Sequence, residues 1–187
     1  MLVRSIAAIF TAMSCSFPLP AISDEANSAE LFAKIAPVFQ SPRCMNCHTV
    51  TTFPKQGNDR HRHSMNVARG RDGHGVVGLT CSACHQRENQ LASGVPGADE
   101  DWRLAPLSMG WENLSVGDLC RRLLDPSRNG GRTGAGVVDH LSTNLVRWAW
   151  APGSSIASGP RTVPPLEYED FVHAADEWIK TGSRCPD

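Results

Sequence analysis

The 187 residues carry 18 basic against 19 acidic side chains, a formal net charge of −1. Nothing in that balance provides the basic surface that nucleic acid requires. The length suits one domain, with 16 glycines and a low aromatic content of 6%.

Met1, Leu2, Val3 and Arg4 precede an apolar run over 6–13, then small and turn residues ending Ala21, Ile22 and Ser23. That is the order of a secretory signal, so residues 1–23 are expected to be removed and 24–187 to form a single domain in the periplasm. The apolar run is shorter than the roughly 18 residues that span a bilayer, so no integral membrane segment is expected after cleavage. Ala12, Met13, Ser14 and Cys15 raise lipidation as an alternative, but Ala12 stands where such signals usually carry leucine. Without Cys15 the seven cysteines become six: 44, 47, 81, 84, 120 and 185.

Residues 24–40 open on Asp24 and Glu25 and continue with Leu31, Phe32, Ile35, Ala36, Val38 and Phe39, a helical spacing with its negative charge at the amino end. Ser41 and Pro42 are expected to end that helix. Cys44, Cys47 and His48 then form a C-x-x-C-H, and Cys81, Cys84 and His85 form another 37 positions later. At this spacing two thiols can add to the two vinyl groups of one haem while the adjoining histidine becomes the proximal iron ligand. Two haem c groups are therefore expected. Zinc is the bland alternative for C-x-x-C pairs, but it has no use for a histidine after each pair. A thioredoxin-like motif would occur once, beside a βαβ pattern that is absent here.

Between the motifs no period is sustained over 49–80. The stretch holds five glycines, with Arg60, Arg62, Arg69 and Arg71. Glycine could let backbone approach a haem edge and arginine could pair with propionates, against the plainer reading of a solvated loop. A further loop is expected over 93–101. Ser115 reads as the N-cap of a helix over Val116–Leu124, stopped by Asp125 and Pro126. Residues 129–132 make a turn before a helix through Val137, Val138, His140 and Leu141, extending toward Leu145. A last helix is expected from near Pro165 to Gly182, with Phe171, Val172, Ala175, Trp178 and Ile179 among its apolar residues. The expected class is mainly α: a small cytochrome c-like helical domain wrapped around two covalent haems, with long irregular loops.

A haem that only moves electrons normally has two axial ligands. His61, His63, His74, His140 and His173 remain for the distal positions, with Met45, Met65 and Met109 as thioether candidates. His63 has loop reach between the motifs. His140 sits among Val137, Val138 and Leu141, where an unpaired imidazole would be costly. These two are the expected distal ligands. Cys120 and Cys185 are left over as an even pair in an oxidising compartment, and a disulfide between them is expected.

His63 with Asn66, Val67, Arg69 and Gly70, the second haem motif, Leu104 to Pro106, residues 120–125 and 129–132, His140, Trp148, and Cys185 with Pro186 together resemble bacterial dihaem c-type cytochromes. The resemblance is to those labelled as the cytochrome subunit of isoquinoline 1-oxidoreductase, a molybdenum hydroxylase. It covers nearly all of residues 24–187 and implies a redox protein partner, a molybdenum-containing dehydrogenase. Residues 44–85 also look like the small dihaem subunit of periplasmic nitrate reductase, whose haems are bis-histidine. This chain departs from that pattern in having no histidine between residues 24 and 44, so a distal ligand for the first haem must come from downstream. The expected function is periplasmic electron transfer between a redox enzyme and the respiratory chain. Its rival is a dihaem enzyme, a peroxidase or small-molecule oxidase, with one five-coordinate haem.

Overall fold

Phe32, Ile35, Ala36 and Phe39 recur at helical spacing, and all four are between 0 and 1% exposed. They form the inner face of α1 (Ile22–Phe39) in a computed structural model that describes residues 22–99, 102–155 and 159–187. The expected signal lies outside the described residues except for positions 22 and 23, which open α1; Cys15 lies outside them too. Phe171, Ala174, Ala175 and Trp178 repeat the same spacing on α6 (Tyr168–Lys180) and are likewise buried. The two helices pack face to face. Phe32 meets Trp178 with ring centres 4.8 Å apart, and Phe39 meets Phe171 at 5.2 Å in an edge-on arrangement.

Pro42 does not simply end the first helix. It occupies the first turn of α2 (Pro42–Met45), where a missing N–H is harmless, so the chain turns back on itself at the first motif. Then come two small antiparallel pairs, β1 (Lys55–Gln56) with β2 (His61–Arg62) and β3 (Gly75–Val76) with β4 (Leu79–Thr80). α3 occupies Val116–Leu124 with Ser115 accepting from the Asp118 N–H, as expected for its N-cap. α4 (Gly134–Leu141) is shorter than expected. Ser142 Oγ donates to Val138 O and Thr143 Oγ1 to His140 O, and these side chains compete with helical bonding before α5 (Asn144–Arg147) resumes. The last pair is β5 (Ser154–Ser155) with β6 (Gly159–Pro160). α6 starts three residues later than expected, because the backbone is still extended at Glu167, its N-cap (φ −63°, ψ 147°). Among the described residues the chain is thus mainly helical, and no helix is long and apolar enough to cross a membrane.

α3 packs on α1 and α4 on α6, placing Leu119, Cys120, Leu123 and Leu141 in the same core. The carboxyl end is pinned to this core twice. Ser28 Oγ donates to Trp178 O and accepts from the Arg184 N–H, while the Trp178 indole donates to Arg184 O. Beside these bonds the sulfurs of Cys120 and Cys185 stand at disulfide distance, their Cα atoms 5.5 Å apart. A bond over that separation of 65 positions restricts the unfolded chain by at most roughly 4 kcal/mol. Reduction should therefore lower the denaturation midpoint without changing the folded spectrum. Alkylation of both positions in unfolded, unreduced protein would contradict the bond.

Candidate functional site

The two C-x-x-C-H segments fold into the same local turn. In the first, the N–H groups of Cys47 and His48 both donate to Cys44 O, at 3.2 and 3.0 Å; in the second, those of Cys84 and His85 both donate to Cys81 O, at the same two distances. Each turn thus brings two thiols and an imidazole together within five residues.

The histidines are then oriented alike. His48 Nδ1 lies 2.9 Å from Met109 O, and His85 Nδ1 lies 2.8 Å from Pro96 O. With Nδ1–H donating to a carbonyl, each ring is held in the tautomer that leaves the Nε2 lone pair available, the arrangement by which proteins orient metal-ligating histidines. Each ring also lies flat on a tryptophan: His48 on Trp111 with centres 3.5 Å apart, and His85 on Trp102 at 4.0 Å. The Trp111 backbone N–H donates to His48 O, so ring and backbone are fixed together. Neither tryptophan nor carbonyl was marked by local spacing; only the tertiary fold brings them to the motifs.

Cys44, Cys47 and His48 open into a cavity of about 70 Å³, which widens to about 600 Å³ with the open space at its mouth. Its walls are mostly apolar and aromatic, with Phe39, Trp111, Leu145, Val146 and Phe171 among them, and His140 of α4 joins the same lining. Burial lowers the pKa of His48 to about 3 and that of His140 to about 4, so both imidazoles are neutral at physiological pH. Burial also raises Cys44 to about 12 and Cys47 to about 11, which keeps both as thiols. The formally charged side chains that bear on these four groups are Arg43, Arg69 and Arg132, with no carboxylate among them.

The second motif is more open: Cys84 is exposed and His85 half-buried. His63 faces it, its ring centre 6.3 Å from that of His85. His63 and His85 are the residues that would hold a metal at this site. His63 Nδ1 lies 2.9 Å from Ser64 O, so its Nε2 is also left for a ligand. The two motifs are linked through Pro96. Pro96 accepts from His85 and also lines the first cavity.

No family model, curated protein or solved structure matches the chain.

The remaining candidates sit elsewhere. His61 is exposed and bonded to Asp59, His74 pairs with Asp72, and His173 is exposed. Met65 is 71% exposed, and Met109 is a buried core side chain whose carbonyl serves His48. Three of the four loop arginines have partners within the chain. Arg69 is buried and donates to the carbonyls of Thr49, Thr51 and Ala105; Arg60 pairs with Glu112, and Arg62 lies over Phe53. Gly70 serves a tight turn: it has φ +71°, and a Cβ there would collide with Gly75 O. Sequence reasoning missed Arg43, which is buried and lines the first cavity. Among the described residues no three His, Cys, Asp or Glu converge on a bare metal ion. Two facing imidazoles beside paired thiols suit a metal whose other ligands come from a macrocycle.

Proposed function

We propose that the chain is a secreted dihaem c-type cytochrome that passes electrons between a redox enzyme and the respiratory chain in the periplasm. One observation carries the reading: each motif histidine is oriented through Nδ1, and one further histidine, His140 or His63, accompanies it. Cys44 and Cys47 would attach the first haem, with His48 and His140 as its ligands. Cys81 and Cys84 would attach the second, between His85 and His63. Bound in this way, each haem supplies a one-electron ferric/ferrous couple.

Side chains and backbone carbonyls perform the rest. Thioether attachment retains the group, Met109 O and Pro96 O hold the proximal rings in register, and the apolar walls of the first cavity exclude water. Pro96, which accepts from His85 and also lines the first cavity, supports a reading in which electrons pass between the two haems. The expected partner is a redox protein, a molybdenum-containing dehydrogenase by the resemblance of the sequence.

A distal histidine at each iron favours a carrier over a dihaem peroxidase or oxidase, which keeps one position open. The visible spectrum of the purified protein, with and without carbon monoxide, tests this. Two low-spin haems unaffected by carbon monoxide are expected. A high-spin, CO-binding fraction would favour the enzyme.

A further inference from the structure

Five buried side-chain polar atoms among the described residues have no hydrogen-bond partner, and three of them belong to residues lining the first cavity: Arg43 Nε, Trp111 Nε1 and Trp148 Nε1. Buried donors left unpaired are rare, and a cluster of them beside one cavity points to an absent acceptor. Trp111 is committed to stacking on His48. Arg43 and Trp148 belong together, the guanidinium carbon lying 5.9 Å from the indole centre.

Arg43 cannot simply turn to find a partner. It is 4% exposed, and its Nη2 already donates to Gly57 O and Asn58 Oδ1, both at 2.9 Å. Those partners are neutral oxygens, so the guanidinium charge is unmatched by them. Arg161 lies near enough to add a second positive charge. One buried cation with a second close behind it, and two unspent N–H donors on residues lining an apolar cavity, describe a receptor for a carboxylate-bearing apolar ligand.

We infer that Arg43 and Trp148 form a carboxylate-binding end of the first cavity, which receives the propionates of the haem attached at Cys44 and Cys47. The inference rests on the dihaem reading and adds to it which residues fix that haem's orientation. It moves the propionate contact from the loop arginines to a side chain one position before the first cysteine. A small free anion would satisfy the same donors, and the two sources are separable.

The test uses the full haem-loaded protein, with Trp148→Phe, which keeps a ring and removes the donor, and Arg43→Gln, which removes the charge. Resonance Raman spectroscopy reads the propionate-bending band, and redox titration reads the two midpoint potentials in chloride and in added inorganic phosphate. In both variants one haem is expected to shift its propionate band and move to lower potential, while the other is unchanged and both stay low-spin. The affected haem should be the one whose spectrum changes in His140→Ala, and phosphate should make no difference. Unmoved bands and potentials in folded Trp148→Phe would overturn the inference, as would shifts confined to the other haem. Shifts that follow the phosphate concentration would instead assign the donors to a free anion. Wild-type protein lacking two attached haems would defeat the dihaem reading itself, an outcome distinct from all of these.

Discussion

Replacing His140 with alanine should convert one of the two haems to a high-spin form that binds about one carbon monoxide per chain, leaving the second haem low-spin. His140 shares the cavity of Cys44, Cys47 and His48, and the thioethers should retain the haem when the distal imidazole is gone. His63→Ala should do the same at the other motif, because the His63 ring faces His85. The double variant should bind about two. The two effects should be independent, since the histidines stand beside different motifs. A His63→Ala protein with both haems still low-spin, alongside a Met65→Ala or Met109→Ala protein in which one is not, would contradict the assignment. A near-infrared sulfur-to-iron band in the oxidised wild type would contradict it as well. The geometry argues against either methionine: Met65 is largely exposed and Met109 is packed in the core.

Arg69→Met should destabilise the fold by about 3–5 kcal/mol, the largest loss expected from any single loop side chain. Arg69 is only 6% exposed, and its guanidinium donates to Thr49 O, Thr51 O and Ala105 O. Methionine preserves the apolar stem but leaves those carbonyls unpaired. The damage should reach the second site, because Arg69 and the Leu104 N–H, which donates to Gly73 O, together anchor the segment carrying Trp102 under His85. Denaturant unfolding followed by circular dichroism measures the loss. A change below about 1 kcal/mol would mean that water satisfies the carbonyls and that Arg69 is not the organiser of this loop.

What the sequence made legible was local. Ser115 announced α3 because a cap followed by a strongly amphipathic turn needs no tertiary information, and α6 was readable from Phe171, Ala175 and Trp178. The motif cysteines and histidines were equally plain, since their chemistry lies within five residues. Contacts across long separations stayed hidden, the Cys120–Cys185 pair excepted. Trp111 reaches His48 over 63 positions, and Arg69 finds Ala105 over 36. The loop arginines looked alike in sequence, yet one is a buried backbone organiser and another pairs with Glu112. Arg43 carried no local mark that it would end with an unpaired donor beside a cavity. The break after Leu141 was missed because the Ser142 and Thr143 hydroxyls turn back onto the carbonyls of α4, a competition that periodicity does not register.

The central claim, that Cys44, Cys47, Cys81 and Cys84 carry two covalent haems, is tested most directly by the mass of the protein after export, acid denaturation and reduction. The expected mass is that of residues 24–187 plus two haems, with the pigment remaining on the protein through acid-acetone extraction. Replacing Cys44 and Cys47, or Cys81 and Cys84, with alanine should remove one haem's mass each. A mass equal to the bare polypeptide, with zinc recovered from the native protein in place of iron, would contradict the account.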